Sequence, residues 1–198
     1  MRVTVTGEAG HAGTVPMHLR RDAFAAAAEM ALLVEAIANQ NHAAAMVATV
    51  GRVEVSPGAT NIIPARAVFT VDLRCMDDQL RKQAIERFST ETMRIAKARN
   101  VECSIEPFLQ TKATLCATAL QDGLATAISE MGCKPLKLPS GAGHDAQMMA
   151  KLCPAAMMFV RCRGGISHNP AEFASSADMG LAIAALIRFI ERFDPDRV

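Results

Sequence analysis

RAVFTVDLRC, residues 66–75, alternates in an extended pattern: Phe69, Val71 and Leu73 share one face, and Val68, Thr70 and Asp72 share the other. A period of two is the mark of a strand with one buried and one wet side. Asp77-Asp78 follows at once and opens a helix over about 77–99, along which Leu80, Ala84, Ile85, Phe88, Met93 and Ile95 recur near helical spacing. Working backwards, the turn SPGATN separates this strand from another at 46–55, MVATVGRVEV. Further back, Asp22 stands at the positive end of an Ala-rich helix over about 22–40, and RVTVT at 2–6 is a strand. Forwards, VECSIEP at 101–107 is a fourth strand, closed by Pro107 and the polar run Gln110-Thr111-Lys112. The order β-α-β-β-α-β is the ferredoxin-like arrangement, complete within residues 1–111.

Residues 112–198 read differently. A helix is expected at about 117–131, a short strand at 135–138, a helix at 145–151, a buried strand at 155–161 and an amphipathic helix at 176–193. Alternating helix and strand is an α/β pattern, but two or three strands are too few to cover both faces of a parallel sheet. This region reads as part of a domain.

Composition excludes several roles. In 198 residues, 21 Lys and Arg against 20 Asp and Glu leave a formal charge of +1, which gives no basic surface for nucleic acid or an anionic membrane. The most apolar stretch, 23–38, is interrupted by Glu29 and Glu35, short of a transmembrane span. MRVTVTGEAGHAG has no signal-peptide pattern. Six cysteines at 75, 103, 116, 133, 153 and 162 form no C-x-x-C and lie mostly in apolar surroundings. They are expected as buried thiols in a reducing cytoplasm.

Three loops depart from core-and-surface patterning. In GHAGT at 10–14, glycines allow close backbone approach and His11 can donate to an anionic oxygen; a structural histidine is the plainer alternative. In SGAGHD at 140–145, backbone amides of Gly141 and Ala142 lie at a strand-to-helix turn beside His144; a helix cap by Asp145 is the plainer reading. Ser140 here is not in a G-x-S-x-G elbow, so serine-nucleophile chemistry is not indicated. In GISHNPAE at 165–172, His168 follows the expected buried strand, where α/β ligand sites lie. Two more polar residues are set apart. Asn61 is either a turn residue or a ligand group, and Arg74 is either the ion-pair partner of Asp72 or a planar fork for a carboxylate.

Together, GEAGHAGTVPMHLRRDA, GATNIIP, VDLR, SGAGHDA and GGISHNPAE, in this order and spacing, resemble the dinuclear metal amidohydrolases of the aminoacylase-like peptidase superfamily. The nearest branch is that of allantoate amidohydrolase, N-carbamoyl-L-amino-acid hydrolase and β-ureidopropionase. The resemblance covers the whole chain but only about the C-terminal half of such an enzyme. It implies that residues 1–111 are a lid that pairs subunits into a homodimer, and that 112–198 are the last part of the catalytic domain. By the same resemblance His11 would stabilise the oxyanion in the partner subunit's site, while Asn61 and Arg74 would bind the substrate carboxylate. Gly141, Ala142 and His144 would line the substrate pocket, and His168 would be the last ligand of a site for two divalent metals, Mn or Zn. The implied substrates carry a ureido or carbamoyl group and a carboxylate, with allantoate favoured.

The family's other ligands, an early His, a bridging Asp, a Glu pair and a second His, have no counterpart in these residues. With one ligand and no base, the chain alone cannot activate water at a metal pair, so it is expected to be inactive by itself. A non-catalytic dimerisation or binding module is the alternative.

Overall fold

In the computed structural model, residues 1–195 are described, and the chain divides into two compact units, Met1–Ala113 and Thr114–Val198. The first contains β1 (Arg2–Thr6), α1 (Ala23–Gln40), β2 (Val47–Ser56), β3 (Arg66–Arg74), α2 (Asp78–Ala98) and β4 (Glu102–Glu106). The four strands form one sheet in the order β2-β3-β1-β4, every neighbouring pair antiparallel. This is the expected β-α-β-β-α-β fold, with boundaries shifted by a residue or two.

The local reasons are visible residue by residue. Asp22 caps α1 by accepting from the Phe24 and Ala25 amides at 2.9 and 3.0 Å. Asp77 caps α2 through the Gln79 and Leu80 amides at 2.8 and 3.0 Å. Each cap satisfies N–H groups that a helix start otherwise leaves open. On the sheet, Val3, Val5, Ala67, Phe69 and Val71 turn inward onto Ala23, Ala26, Met30, Ile37, Ala84, Phe88 and Ile95. The other face carries Arg2, Thr4, Thr6, Thr70, Asp72, Ser104 and Glu106, as a one-side-wet antiparallel sheet should.

Cys103 packs against this core, and burial pushes its thiol up from 9.0 to about 11. At pH 8 its thiolate fraction is then about 100-fold below that of an ordinary thiol. Iodoacetamide is expected to modify exposed Cys153 first and Cys103 last, with mass spectrometry of partially alkylated chain reading the order.

The second unit holds α3 (Thr118–Glu130), α4 (Ala146–Met149) and α5 (Ser176–Glu191). Two expectations fail here. Residues 135–138 and 155–161 form no strand, and α4 is shorter than the expected 145–151. An extended segment becomes a strand only when a neighbour completes its hydrogen-bond ladder. Among the described residues of this unit no such neighbour exists, and Phe159 and Val160 stand exposed where a buried strand was expected. Its interior is correspondingly thin: Leu124, Ala127 and Ala185 are its buried apolar residues, whereas Leu152 is 81% and Ile190 61% exposed. α3 and α5 approach closely because Gly123 has no side chain; a Cβ there would lie 2.8 Å from the Phe189 ring. Nor are the cysteines buried as expected: Cys153 is exposed, the other five are only partly covered, and all six are free. Among the described residues no helix is long and apolar enough to cross a membrane.

Candidate functional site

In the first unit the Gly-rich loop leaves β1 and is sewn to the segment before β3. The Ile63 amide donates to the Gly10 carbonyl at 2.8 Å and the Ala12 amide to the Asn61 carbonyl at 2.9 Å, with His11 and Ile62 bridged as in a short antiparallel pair. His11 and Asn61, fifty positions apart, therefore project from adjoining loops at one end of the sheet. Both side chains are exposed, and the Asn61 amide has no hydrogen-bond partner among the described residues. The plain turn-asparagine reading thus accounts for its backbone but leaves its side chain unemployed.

The His11 ring is held in a definite chemical form. Its Nδ1 accepts from the Gly13 amide at 3.1 Å. In the neutral ring the proton then lies on Nε2. The exposed nitrogen is a donor, the polarity an oxyanion requires.

Arg74 is elsewhere. It ends β3 at the end of the sheet opposite the His11 loop, about 26 Å along the strand from Arg66 at ~3.3 Å per residue. Its Nε and one terminal nitrogen grip the two oxygens of Asp72 at 2.9 and 2.6 Å. The ion-pair reading of Arg74 is therefore realised, on an exposed fork. The Arg74 hydrogen bonds hold the Asp72 carboxyl below the usual carboxylate range. Because the folded-state pKa is the depressed one, the pair persists above the unfolded value and is lost only as pH falls through the folded one. A substrate carboxylate at Arg74 would meet a guanidinium already oriented by Asp72.

In the second unit, SGAGHD forms an exposed turn before α4. Asp145 makes no side-chain cap, so the helix-cap alternative does not hold. Gly141 and Gly143 have no positive φ, and a Cβ on either would meet nothing within 4 Å. Neither backbone conformation nor packing within the described residues demands glycine there. His144 is half-buried, its Nε2 2.8 Å from Ser140 Oγ and its ring 5.6 Å from that of Phe159. Phe159, fifteen residues downstream, carries no local sequence signal of this role.

His168 lies at φ 55°, the left-handed region that non-glycine residues seldom enter. Its amide donates to Glu172 Oε2 at 3.0 Å, and the loop is closed by Arg163, whose guanidinium sits 4.1 Å from the Phe173 ring centre. Backbone strain at an exposed polar loop accompanies function more than packing. Among the described residues, however, no three His, Cys, Asp or Glu side chains come together to hold a metal ion. The donor set fits at most one ligand position, not a dinuclear site.

These features define a class before they define a protein. The sequence profile of peptidase family M20/M25/M40 matches residues 4–192, and the chain belongs to that family. Within it, the chain is similar to allantoate deiminase from Arabidopsis thaliana, 38% identical over 96% of this chain and 41% of that protein. It is equally similar to N-carbamoyl-L-amino acid amidohydrolase from Geobacillus stearothermophilus, 37% identical over 94% of this chain and 45% of that protein. A crystal structure of an amidase of the hydantoinase/carbamoylase family from Burkholderia multivorans matches with a TM-score of 0.89 and 35% identity, covering 96% of this chain and 46% of that one. The chain thus spans a little under half the length of these relatives.

Proposed function

We propose that this chain supplies the substrate-binding side of a hydrolase that cleaves the ureido or carbamoyl carbon–nitrogen bond of allantoate or an N-carbamoyl amino acid. The observation that carries the reading is that relatives named for these two substrates align over more than nine-tenths of the chain. Their identities of 38% and 37% do not separate the substrates. The first unit acts as lid and pairing domain, and the second as part of the catalytic domain.

Local geometry supports particular roles. The His11 Nε2–H donates to the oxygen that becomes negative as the scissile carbonyl is attacked. Asn61 presents a free amide beside it. Arg74, fixed by Asp72, receives the substrate carboxylate in a planar two-point grip. Gly141 and Ala142 offer an uncrowded backbone edge, with His144 alongside. His168 serves as one ligand to a divalent metal, Mn or Zn. The remaining ligands and the general base come from polypeptide beyond these residues, which would also cover the apolar side chains the second unit leaves exposed.

The separation of Arg74 from His11 adds a constraint. No ureido substrate spans about 26 Å, so a site that uses both takes them from two lids. A homodimer meets this requirement. β2 is an edge strand with Val47 and Val53 about half exposed, the kind of edge that pairs with a second copy. A cytoplasmic setting accords with the six free cysteines.

The test is ammonia release with Mn²⁺ or Zn²⁺ from a protein in which this chain is joined to a family metal-binding segment. Allantoate or N-carbamoyl amino acids are expected to be hydrolysed. Cleavage of peptides or acyl amino acids, with neither ureido compound turned over, would remove the ureido assignment. The pairing-module alternative draws on one observation, the missing metal cluster among the described residues, and gains if the joined protein dimerises and hydrolyses nothing.

A further inference from the structure

Ser140 has no part in the roles above, although the structure places it in direct contact with one of them. Its Oγ lies 2.8 Å from His144 Nε2, and the Ala142 amide donates to the same Oγ at 3.3 Å. Among the described residues the hydroxyl has no other partner. A serine hydroxyl has one hydrogen to give and two lone pairs to receive with. One lone pair is taken by the Ala142 amide. If the hydrogen goes to His144 Nε2, every polar contact at Ser140 is complementary. If Nε2 instead carried the proton and donated, the hydroxyl hydrogen would have no protein acceptor. Phe159 lies beside the imidazole, its ring centre 5.6 Å away and tilted by 59°.

We infer that Ser140 is a positioning residue: it holds neutral His144 as the Nδ1–H tautomer and aims that N–H at a carbonyl or carboxylate oxygen of the substrate lying along Gly141. This rests on the assignment of the SGAGHD turn to the substrate pocket. His144 Nδ1 has no partner among the described residues, and the space beside Gly141 and Gly143 is open. The chain of donors runs from the Ala142 amide to Ser140 Oγ, then to Nε2, leaving Nδ1–H directed outward. It mirrors His11, where a backbone amide at Nδ1 leaves Nε2–H outward instead.

The experiment reads the tautomer directly. Long-range ¹H–¹⁵N correlation spectra of the ¹⁵N-labelled 198-residue chain are recorded about two pH units above the ordinary imidazole pKa of ~6.5. The chain has five histidines, and His144→Gln removes and so identifies the His144 signals. Nδ1 is expected to be the protonated nitrogen. Ser140→Ala is expected to release it, with Nε2–H becoming the main form, as in free imidazole side chains. Ser140→Thr, which keeps the hydroxyl, is expected to restore Nδ1–H. Ser140 is on a partly exposed turn, and the backbone amide spectrum shows whether each variant keeps the native fold. A wild-type ring protonated on Nε2, or an unchanged tautomer in folded Ser140→Ala, overturns the inference. The measurement needs no turnover. A wrong tautomer removes the role of Ser140 and leaves the ureido assignment standing, whereas a hydrolase that ignores ureido substrates removes that assignment and leaves the tautomer result in place.

Discussion

Substituting His11 by alanine, in a hydrolase built on this chain, is expected to lower kcat by about 10²–10³-fold with KM nearly unchanged, the usual effect of removing one oxyanion donor. Arg74→Ala is expected to act mainly through KM, since it removes a ground-state contact to the carboxylate. The informative result is the rate at limiting substrate when the two impaired proteins are mixed. His11 and Arg74 stand at opposite ends of the first unit's sheet, and in the proposed dimer each site takes one from each copy. A heterodimer of the two variants then has one site with both residues intact and one with neither. After random exchange of subunits about half the dimers are mixed, and one of their two sites works, so about a quarter of the wild-type activity returns. Were His11 and Arg74 to serve the same site from one copy, every site in the mixture would lack one of them and no activity would return. Steady-state rates before and after exchange distinguish the outcomes.

Gly7→Ala is expected to destabilise the first unit by about 3 kcal/mol or more, near the upper end of overpacking costs. A Cβ at this position would fall 1.8 Å from the Arg21 carbonyl oxygen, a backbone atom that cannot rotate away. The same place anchors the His11 loop: the Gly7 amide donates to the Ala65 carbonyl at 2.7 Å and the Glu8 amide to the Arg21 carbonyl at 2.9 Å. Moving β1 off the start of α1 therefore breaks the stitching that leads to His11. Urea unfolding followed by far-ultraviolet circular dichroism measures the loss. Gly141→Ala is the control, because its Cβ would enter open space; stability should stay within about 0.5 kcal/mol while affinity for a ureido ligand falls. Equal losses in the two variants would mean that Gly7 is not the packing constraint its geometry indicates.

The first unit was legible because each of its signals is local. Alternation in RVTVT and RAVFTVDLRC, the caps Asp22 and Asp77, and the turn before Asn61 each act over a few residues, and their sum leaves one topology. The Asp72–Arg74 pair was also readable, since positions two apart share a face of a strand. The second unit was less so. PLKL and AAMMFVR have strand composition, but a strand is completed by a neighbour, and no neighbour lies among the described residues. Three features of the site lay outside any sequence pattern. The adjacency of His11 and Asn61 depends on backbone hydrogen bonds across fifty residues, and the contact of Phe159 with His144 on the folding back of a separate segment. The left-handed backbone of His168 is the third: a histidine gives no hint of positive φ, as a glycine would. The shortage of metal ligands was implied by the family resemblance, whose other ligand segments have no counterpart in these residues.

In the proposed enzyme these residues form the substrate side of a ureido-hydrolysing site and contribute a single ligand, His168, to its metals. Metal stoichiometry of the purified 198-residue chain tests it most directly, by equilibrium dialysis against micromolar Zn²⁺ and Mn²⁺ with His168→Ala in parallel. The expected result is no tightly held metal pair, with any weak binding lost on substitution of His168. Two tightly bound ions per chain would contradict the claim.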